Sequence, residues 1–216
     1  MGISYALGFE LKRMSFLKKH INAGDQVLDV GANCGQISLY LSKLVGDTGN
    51  VYSFEPSEYA YNIFSRNINL NKINNIKAIN AAVSDSDEYL TMVLNPELTT
   101  GGIVSSTEAI NNTESQEKEI IKVKTEILDD FCFEKNIKPN FIKIDVEGAG
   151  DKVLKGASKV IKDYKPAIYI EMHMPQEQQA VKEIIQNLGY RVETLEGKLV
   201  PDATKGWNDC LWCYCS

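Results

Sequence analysis

Five side chains that can carry a charge or move a proton fall where predicted strands end. They are Asp29, Glu55, Asp145, Glu171 and His173. Because ligands of open α/β sheets bind outside the carboxyl ends of the strands, we expect these side chains to surround one crevice. Carboxylates accept hydrogen bonds from hydroxyl groups and attract cations, and an imidazole can take up a proton near neutral pH. The pattern predicts an acidic ligand-binding site.

A glycine-bracketed turn follows the first of these strand ends. Residues 27–35 read Val-Leu-Asp-Val-Gly-Ala-Asn-Cys-Gly, and the next residues resume with helical spacing. Glycines let such a turn approach a ligand closely, and the helix start attracts negative groups. Asn33 replaces the middle glycine of the dinucleotide-binding pattern, so a purely structural turn stays open as an alternative.

Glu55 ends the second predicted strand, 20 residues after Gly35. At this position in a doubly wound sheet, an acid can bind both hydroxyls of a ribose. A simple strand-end cap is the alternative interpretation. The glycine turn and Asp29 beside it favour the ribose role.

The acidity of the crevice indicates which nucleoside cofactor it suits. The pyrophosphate of a nicotinamide dinucleotide is best bound by amides and positive charge. S-adenosylmethionine has no phosphate, and its amino group and sulfonium cation can face carboxylates. The strand-end acids therefore favour S-adenosylmethionine over a dinucleotide.

Strands and helices alternate through most of the chain, which predicts an α/β fold with a mostly parallel sheet covered on both faces. A helix is predicted at about 5–22 and an inserted hairpin and loop at about 89–126. The last two strands have only a loop between them and can pair antiparallel. We expect residues 1–216 to form a single domain.

Composition excludes several classes of partner. The chain has 216 residues, 44% of them hydrophobic, and a formal net charge of −6. A negative protein attracts neither nucleic acid nor an anionic membrane broadly, so no nucleic acid and no membrane partner is expected. There is no long apolar run or signal-peptide pattern, and the five cysteines are an odd number. These features predict free thiols and a cytoplasmic location, and leave the oligomeric state open.

Seven segments together resemble the FkbM-type S-adenosylmethionine-dependent methyltransferases. The resemblance covers about residues 25–173 in the expected order. It implies a Rossmann-like class I methyltransferase fold with a seven-stranded, mostly parallel sheet and a reversed last strand. It also implies methylation of a hydroxyl, often on a sugar, glycan or secondary metabolite. The segments are residues 27–35, 54–56, Asn67 with Asn71, 80–83, 141–149, 154–157 and 170–173.

The resemblance also assigns roles to residues. The glycine-turn residues would hold the methionine part, Glu55 the ribose, and residues 80–83 the adenine side. Asp145 and Glu147 would border the transferred methyl group. The family pattern places a glutamate where this chain has Gly150, and Asp151 is a candidate replacement. The implied cofactor-binding residues are Asp29, Gly31, Ala32, Asn33, Gly35, Glu55, Pro56, Ala82 and Asp145.

A hydroxyl acceptor must lose a proton during methyl transfer, and Asp145 or His173 is a candidate general base. Alternatively, Asp145, Glu171 and His173 could hold a divalent cation that lowers the pKa of the hydroxyl. A third interpretation makes His173 a structural, hydrogen-bonded imidazole. The sequence does not decide whether His173 is a general base, a metal ligand or a structural residue.

Two other functions stay open at this stage. Transfer to the nitrogen of a small amine would need less deprotonating power, and a binding module without turnover would fit the missing acid at Gly150. Acceptor choice is expected to depend on the N-terminal helix, residues 99–119 and residues 201–207. The residue spacing in these segments does not predict the identity of the acceptor.

Overall fold

Buried strands and helices alternate along the chain, as the sequence predicts. The computed structural model describes residues 2–94, 101–103, 119–195, 197–200 and 210–214. The helices in these parts are α1 (Gly2–His20), α2 (Gln36–Val45), α3 (Glu58–Leu70), α4 (Leu128–Glu134), α5 (Gly150–Gly156), α6 (Ser158–Tyr164) and α7 (Pro175–Asn187).

The strands of the described residues divide among three sheets. Those of the main sheet are β1 (Gln26–Val30), β2 (Asn50–Phe54), β3 (Ile76–Ile79), β9 (Phe141–Asp145), β10 (Ala167–Glu171), β11 (Arg191–Glu193) and β12 (Cys210–Tyr214). The others are β4 (Ala82–Val83), β5 (Leu90–Leu94), β6 (Gly101–Ile103), β7 (Glu119–Val123) and β8 (Thr125–Glu126).

Within the described residues the main sheet has the order β11-β12-β10-β9-β1-β2-β3. Its five strands from β10 to β3 run parallel to one another. β12 pairs antiparallel with both of its neighbours. The predicted α/β fold with a mostly parallel sheet is confirmed.

Alternating side chains of the central strands feed two cores, one on each face of the sheet. Leu28 and Val30 pack with residues of α4 to α7, whereas Val27 packs on the opposite face with residues of α1 to α3. Helices thus cover both faces, which leaves the carboxyl ends of the parallel strands as the edge where a site can form.

The apolar spacing of α1 predicts a buried face with Leu7, Leu11, Met14 and Leu17, and the structure agrees only in part. Leu17 is fully buried and Met14 packs against the same core, but Leu11 is 63% exposed. The charged Arg13 is buried in its place, beside Phe16. The prediction was wrong for Leu11, because apolar spacing does not show that an arginine is buried on this face.

The predicted third strand over residues 76–83 is divided in two. β3 ends at Ile79, and β4 leaves the main sheet to pair with β8. Between them, the side-chain amide of Asn80 donates to the carbonyls of Glu55 and Pro56, at 2.9 and 3.2 Å. This bond fixes the chain beside the end of β2 and directs Ala82 over the strand ends.

The segment expected to hold an inserted hairpin and loop contains a small antiparallel sheet with the order β6-β5-β7. Met92 and Val123 of this sheet are buried against Ala82. Residues 95–100 and 104–118 of the segment, and residues 201–207 with their expected role in acceptor choice, lie outside the described residues. Along the parts of the chain that are described, no helix is both long and apolar enough to cross a membrane.

Candidate functional site

The turn after β1 needs glycine at two positions because other parts of the protein approach it closely. Gly31 has a φ of 81°, and a Cβ there would collide with the main-chain carbonyl of Asp145. Gly35 has a φ of 86°, and a Cβ there would collide with the ring of Phe64. The positive φ values favour glycine independently. The glycines thus hold the turn tightly between β9 and α3.

Asn33 and Glu55 connect the turn to the end of β2. The main-chain amide of Asn33 donates to Glu55 Oε2 at 2.7 Å, and that of Ser57 donates to Oε1 at 2.8 Å. Burial raises the pKa of Glu55, and the two amides oppose this effect. The carboxylate is therefore fixed in direction at the wall of a cavity.

That cavity, called the main cavity below, lies over the carboxyl ends of β1, β2 and β9. Its apolar wall includes Phe54, Val83 and Met92, and its polar wall includes the acids Glu55 and Asp145. The predicted site residues that line it are Gly31, Asn33, Glu55, Pro56, Ala82, Asp145 and Glu147.

A second, more polar cavity lies on the other side of the glycine turn and shares Gly31, Asn33 and Asp145 with the main cavity. The cations Arg13 and Lys143 line it together with Ala32 and the first residues of α2. Below it is called the polar cavity. Positive side chains beside a helix start favour an anionic group.

Asp29 has a different role from the predicted contact with a cofactor. Its side chain is fully buried and lines neither cavity. Ser38 Oγ donates to Oδ2 at 2.6 Å, and Lys143 Nζ lies 3.0 Å from Oδ1. A carboxylate enclosed in this way positions α2 and Lys143, so the prediction of direct cofactor binding is corrected. The same correction applies to Gly35, which is covered by Phe64.

Two cations that the sequence interpretation missed neutralise the strand-end acids. Lys143 Nζ donates to the carbonyl of Gly31 at 2.8 Å and lies 3.6 Å from Asp145 Oδ2. Burial lowers the pKa of Lys143, but Asp29 and Asp145 outweigh burial and raise it. A lysine between two isoleucines of a buried strand was the available signal, because a buried charge requires a partner.

Arg13 is the second missed cation, and α1 carries it to the strand ends. Its Nη1 donates to Glu171 Oε1 at 2.8 Å and lies 3.9 Å from Asp145 Oδ2. Its Nη2 donates to both carboxylate oxygens of Glu10. The apolar face predicted for α1 gave no sign of this contact.

His173 and Asp145 form an ion pair beside the cavities: Asp145 lines both of them, whereas His173 is a lining residue of neither. His173 Nε2 lies 3.0 Å from Asp145 Oδ1, and Nδ1 lies 4.0 Å from Glu147 Oε2. The hydrogen bond to Asp145 raises the pKa of His173 to about 9. Burial would raise the pKa of Asp145, but Lys143, His173 and Arg13 lower it to about 2. At neutral pH the pair is therefore an imidazolium and a carboxylate.

The set of Asp145, Glu171 and His173 does not fit a divalent cation. Arg13 holds the Glu171 carboxylate, which also accepts from the Tyr169 hydroxyl at 2.7 Å. A metal ion at His173 would have to displace the ring proton that the hydrogen bond to Asp145 favours. Among the described residues, no group of three or more histidine, cysteine or acidic side chains is arranged to hold an ion.

Gly150 leaves room for an acid from another helix. Glu177 Oε1 of α7 accepts from the main-chain amide of Gly150 at 2.8 Å. Asp151, the predicted replacement for the missing acid, instead pairs with Lys155 at 2.7 Å. The role of Asp151 as a replacement therefore stays a prediction.

The comparisons with known proteins agree with this fold. The family model for the methyltransferase FkbM domain matches residues 29–192. The chain belongs to this family.

Individual relatives are distant. Methyltransferase 1 of Beauveria bassiana (strain ARSEF 2860) is 27% identical over 143 residues, 60% of this chain and 57% of the relative. Methyltransferase sdnD of Sordaria araneosa is 24% identical over 201 residues, 82% of this chain and 77% of the relative. The chain therefore spans little more than half the length of the first of them.

A solved structure shows the same fold. The crystal structure of methyltransferase FkbM from Methylobacillus flagellatus KT superposes with a TM-score of 0.57 at 18% identity. The match covers 88% of this chain and 44% of that one. At this identity the likeness concerns the fold, and the role of each residue must be argued from the site itself.

Proposed function

We propose that the protein transfers a methyl group from S-adenosylmethionine to a hydroxyl of a small molecule or of a glycan. The observation that supports this most is the contact of His173 with Asp145, because Asp145 and its neighbour Glu147 both line the main cavity. It combines negative charge with a group that can exchange a proton. The predicted cytoplasmic location, the lack of a nucleic-acid partner and the single domain stay predictions.

The described residues fit the cofactor in two parts. In the main cavity, Glu55 would accept hydrogen bonds from the ribose, and Ala82 and Met92 offer apolar contact to the adenine. In the polar cavity, Arg13 and Lys143 suit the carboxylate of the methionine part. Asp145 borders both cavities and would face the amino group.

S-adenosylmethionine supplies a methyl group activated by the sulfonium cation. The carboxylates of Asp145 and Glu147 stabilise positive charge at the cavity mouth, and the turn and strand ends fix the direction of approach. His173 can take up the acceptor's proton only in its neutral form. Because its pKa is about 9, the neutral form becomes common only as the pH approaches 9. The rate is therefore expected to rise with pH between about 7 and 9.

The cofactor test is calorimetry with S-adenosylmethionine on the purified protein and on Glu55→Gln. In Glu55→Gln, the ribose hydroxyls would donate to a neutral amide oxygen, which accepts a weaker hydrogen bond than a carboxylate does. We therefore expect about tenfold weaker binding of S-adenosylmethionine. Glu58→Gln is the matched control, because Glu58 is exposed in the first turn of α3. Absence of binding by the unchanged protein would refute the proposal.

The acceptor test is a screen of sugars, glycans and metabolites with methyl-labelled cofactor. The screen is repeated with a chelator, and we expect activity to be unaffected. Labelling of hydroxyl acceptors with a rate that rises toward pH 9 supports the proposal.

Transfer to an amine is the second candidate, since a protonated His173 favours an acceptor that needs no external base. The lone pair of a neutral amine would attack the methyl group, S-adenosylhomocysteine would leave, and the carboxylates of Asp145 and Glu147 would stabilise the ammonium product. Amine acceptors that react as well in His173→Gln as in the unchanged protein would identify this function.

A further inference from the structure

Glu177 is a buried acid that the catalytic proposal does not use. Its side chain is 3% exposed, although it lies in the first turn of α7. Its Oε2 accepts from the main-chain amides of His173 at 2.9 Å and Met174 at 3.4 Å. Its Oε1 accepts from the amide of Gly150 at 2.8 Å. One carboxylate thus binds the chain on two separate segments.

Part of this arrangement is an ordinary helix start. Pro175 begins α7, and an acid three positions after the N-cap residue Met174 accepts from that residue's own amide. The bonds to His173 and Gly150 go further than a cap. They connect the chain leaving β10 to the first turn of α5, which follows β9.

Gly150 is the counterpart of this contact. A Cβ at position 150 would lie 2.7 Å from Glu177 Oε1 and 3.1 Å from Ile170 Cδ1. The backbone of Gly150 lies outside the positive-φ region, so space, and not conformation, calls for glycine. The position is small because the Glu177 carboxylate occupies the volume of a side chain there.

His173 depends on such an anchor more than a core residue would. Its side chain is 32% exposed, so packing alone fixes the ring poorly. The ring contacts Asp145 through Nε2 and approaches Glu147 through Nδ1. A small shift of the main chain at position 173 would move the ring away from both.

We propose that Glu177 is a positioning residue that holds the main chain of His173 so that the imidazole reaches Asp145. Its link to methyl transfer rests on the function proposed above, since it acts through His173. The geometry itself is independent of the reaction. Among the described charges, those of Asp145, Glu147 and Glu171 raise the pKa of His173. Because these three carboxylates are the main charges that raise it, we expect a change at Glu177 to alter this pKa mainly by moving the ring relative to them.

The test is NMR titration of His173 in the unchanged protein and in Glu177→Gln. The amide has one oxygen for three N–H donors, and its NH₂ group faces a donor, so the anchor loosens. We expect the pKa of His173 to fall by at least one unit, from about 9 toward the ordinary value of 6.5. Glu183→Gln is the matched control, an exposed acid of the same helix that accepts from Gln179, and it should leave the titration unchanged.

A second variant supplies the carboxylate from the other side. In Gly150→Glu with Glu177→Ala, the acid at position 150 enters the volume that Glu177 leaves, and the high pKa of His173 should return. This variant decides the matter if Glu177→Gln does not fold. A folded double variant with the titration near 6.5 would overturn the proposal. So would Glu177→Gln with a lower melting temperature and an unchanged His173 titration, since that result describes a purely structural acid.

The titration uses neither cofactor nor acceptor, so it remains valid if methyl transfer from S-adenosylmethionine is refuted. Glu177 lines neither cavity, and calorimetry with S-adenosylmethionine should give the same affinity for Glu177→Gln as for the unchanged protein. If neither the unchanged protein nor Glu177→Gln bound S-adenosylmethionine, the proposed function would be refuted. The titration of His173 would still test the positioning role of Glu177.

Discussion

At the strand ends, side chains of the same type have distinct tasks because each meets a different partner. Asp29 is enclosed by Ser38 and Lys143, whereas Glu55 receives two main-chain amides and faces the main cavity. Glu171 is held by Arg13. Asp145 alone of these acids borders both cavities and pairs with His173. Partner and burial, more than residue type, decide which acid can meet a ligand.

The pair of His173 and Asp145 predicts a pH dependence of stability. The pKa of His173 is raised from 6.5 to about 9 in the folded protein, so its contribution is complete below about 6.5 and is lost as the pH rises through 9. The pKa of Asp145 is lowered from 3.8 to about 2, so its contribution is complete above about 4 and is lost as the pH falls through 2. The pair therefore stabilises most between about pH 4 and 6.5.

Thermal unfolding of the unchanged protein and of His173→Gln checks this expectation. We expect the variant to be less stable by about 1 kcal/mol near pH 6, a modest value because the ring is partly exposed. The difference should shrink as the pH rises from about 6.5 to 9. A difference in melting temperature that stays constant from pH 6 to 9.5 would contradict the expected ion pair.

The sequence located these side chains better than it assigned their contacts. Period-two spacing and strand ends placed Asp29, Glu55 and Asp145 at one edge, because these features depend on local chain geometry. The partners Arg13 and Glu177 come from α1 and α7, which are far apart in the chain. A single sequence does not show which residues of such distant elements meet in the fold. The position of Glu177 was readable as a helix cap, but its bonds to Gly150 and His173 were not.

At the scale of the elements, the turn between β1 and α2 is fixed by its neighbours on three sides. β9 approaches at Gly31, Phe64 of α3 approaches at Gly35, and Asn67 of α3 donates to the carbonyl of Cys34 at 3.0 Å. The sequence predicted the turn from its glycines and attributed them to a ligand. The structure adds that the protein's own packing requires them.

We expect Gly31→Ala to destabilise the protein far more than the same substitution at another glycine with a positive φ. Gly46 is the matched control, because its φ is 64° and a Cβ there meets nothing within 4 Å. Gly46→Ala should cost about 1 to 3 kcal/mol, because a φ of 64° with a ψ of −167° is a backbone region that essentially only glycine adopts. Gly31→Ala adds a collision with the carbonyl of Asp145, so we expect a loss of at least 3 kcal/mol or failure to fold.

Urea unfolding of both variants measures the two losses. Calorimetry on the folded fraction should show weaker cofactor binding by Gly31→Ala and unchanged binding by Gly46→Ala. Equal losses of stability would mean that backbone strain alone explains the glycine at position 31.

For the whole molecule, the described contacts bring the start of the chain to the carboxyl edge of the sheet. Helix α1 precedes the first strand, yet Arg13 reaches Glu171 of β10 and lines the polar cavity. Burial lowers the pKa of Arg13, but Glu171 and Glu10 outweigh it, so the guanidinium stays charged. A protein with a net charge of −6 thus keeps a buried cation where an acidic ligand group would bind. The succession of strands and helices along the chain was predictable from local patterns. The long-range contact between Arg13 and Glu171 was not.

Arg13→Gln tests whether the polar cavity binds the amino-acid end of the cofactor. S-adenosylhomocysteine and 5′-methylthioadenosine both contain a neutral sulfur and adenosine, but only the first has a carboxylate. Loss of one charge-assisted contact is worth about 1.5 kcal/mol or more, so the first ligand should bind about tenfold more weakly to the variant. Binding of the second ligand should change little, because Arg13 lies outside the main cavity.

The comparison of the two ligands separates a local effect from a general one. Arg13→Gln also releases Glu171 and weakens the neutralisation of Asp145, so some loss of stability is expected in either case. If that loss disturbed the whole site, both ligands would weaken by the same factor in calorimetry. A selective loss for S-adenosylhomocysteine would place its carboxylate beside α1, and an equal loss would assign Arg13 to the stability of the strand ends instead.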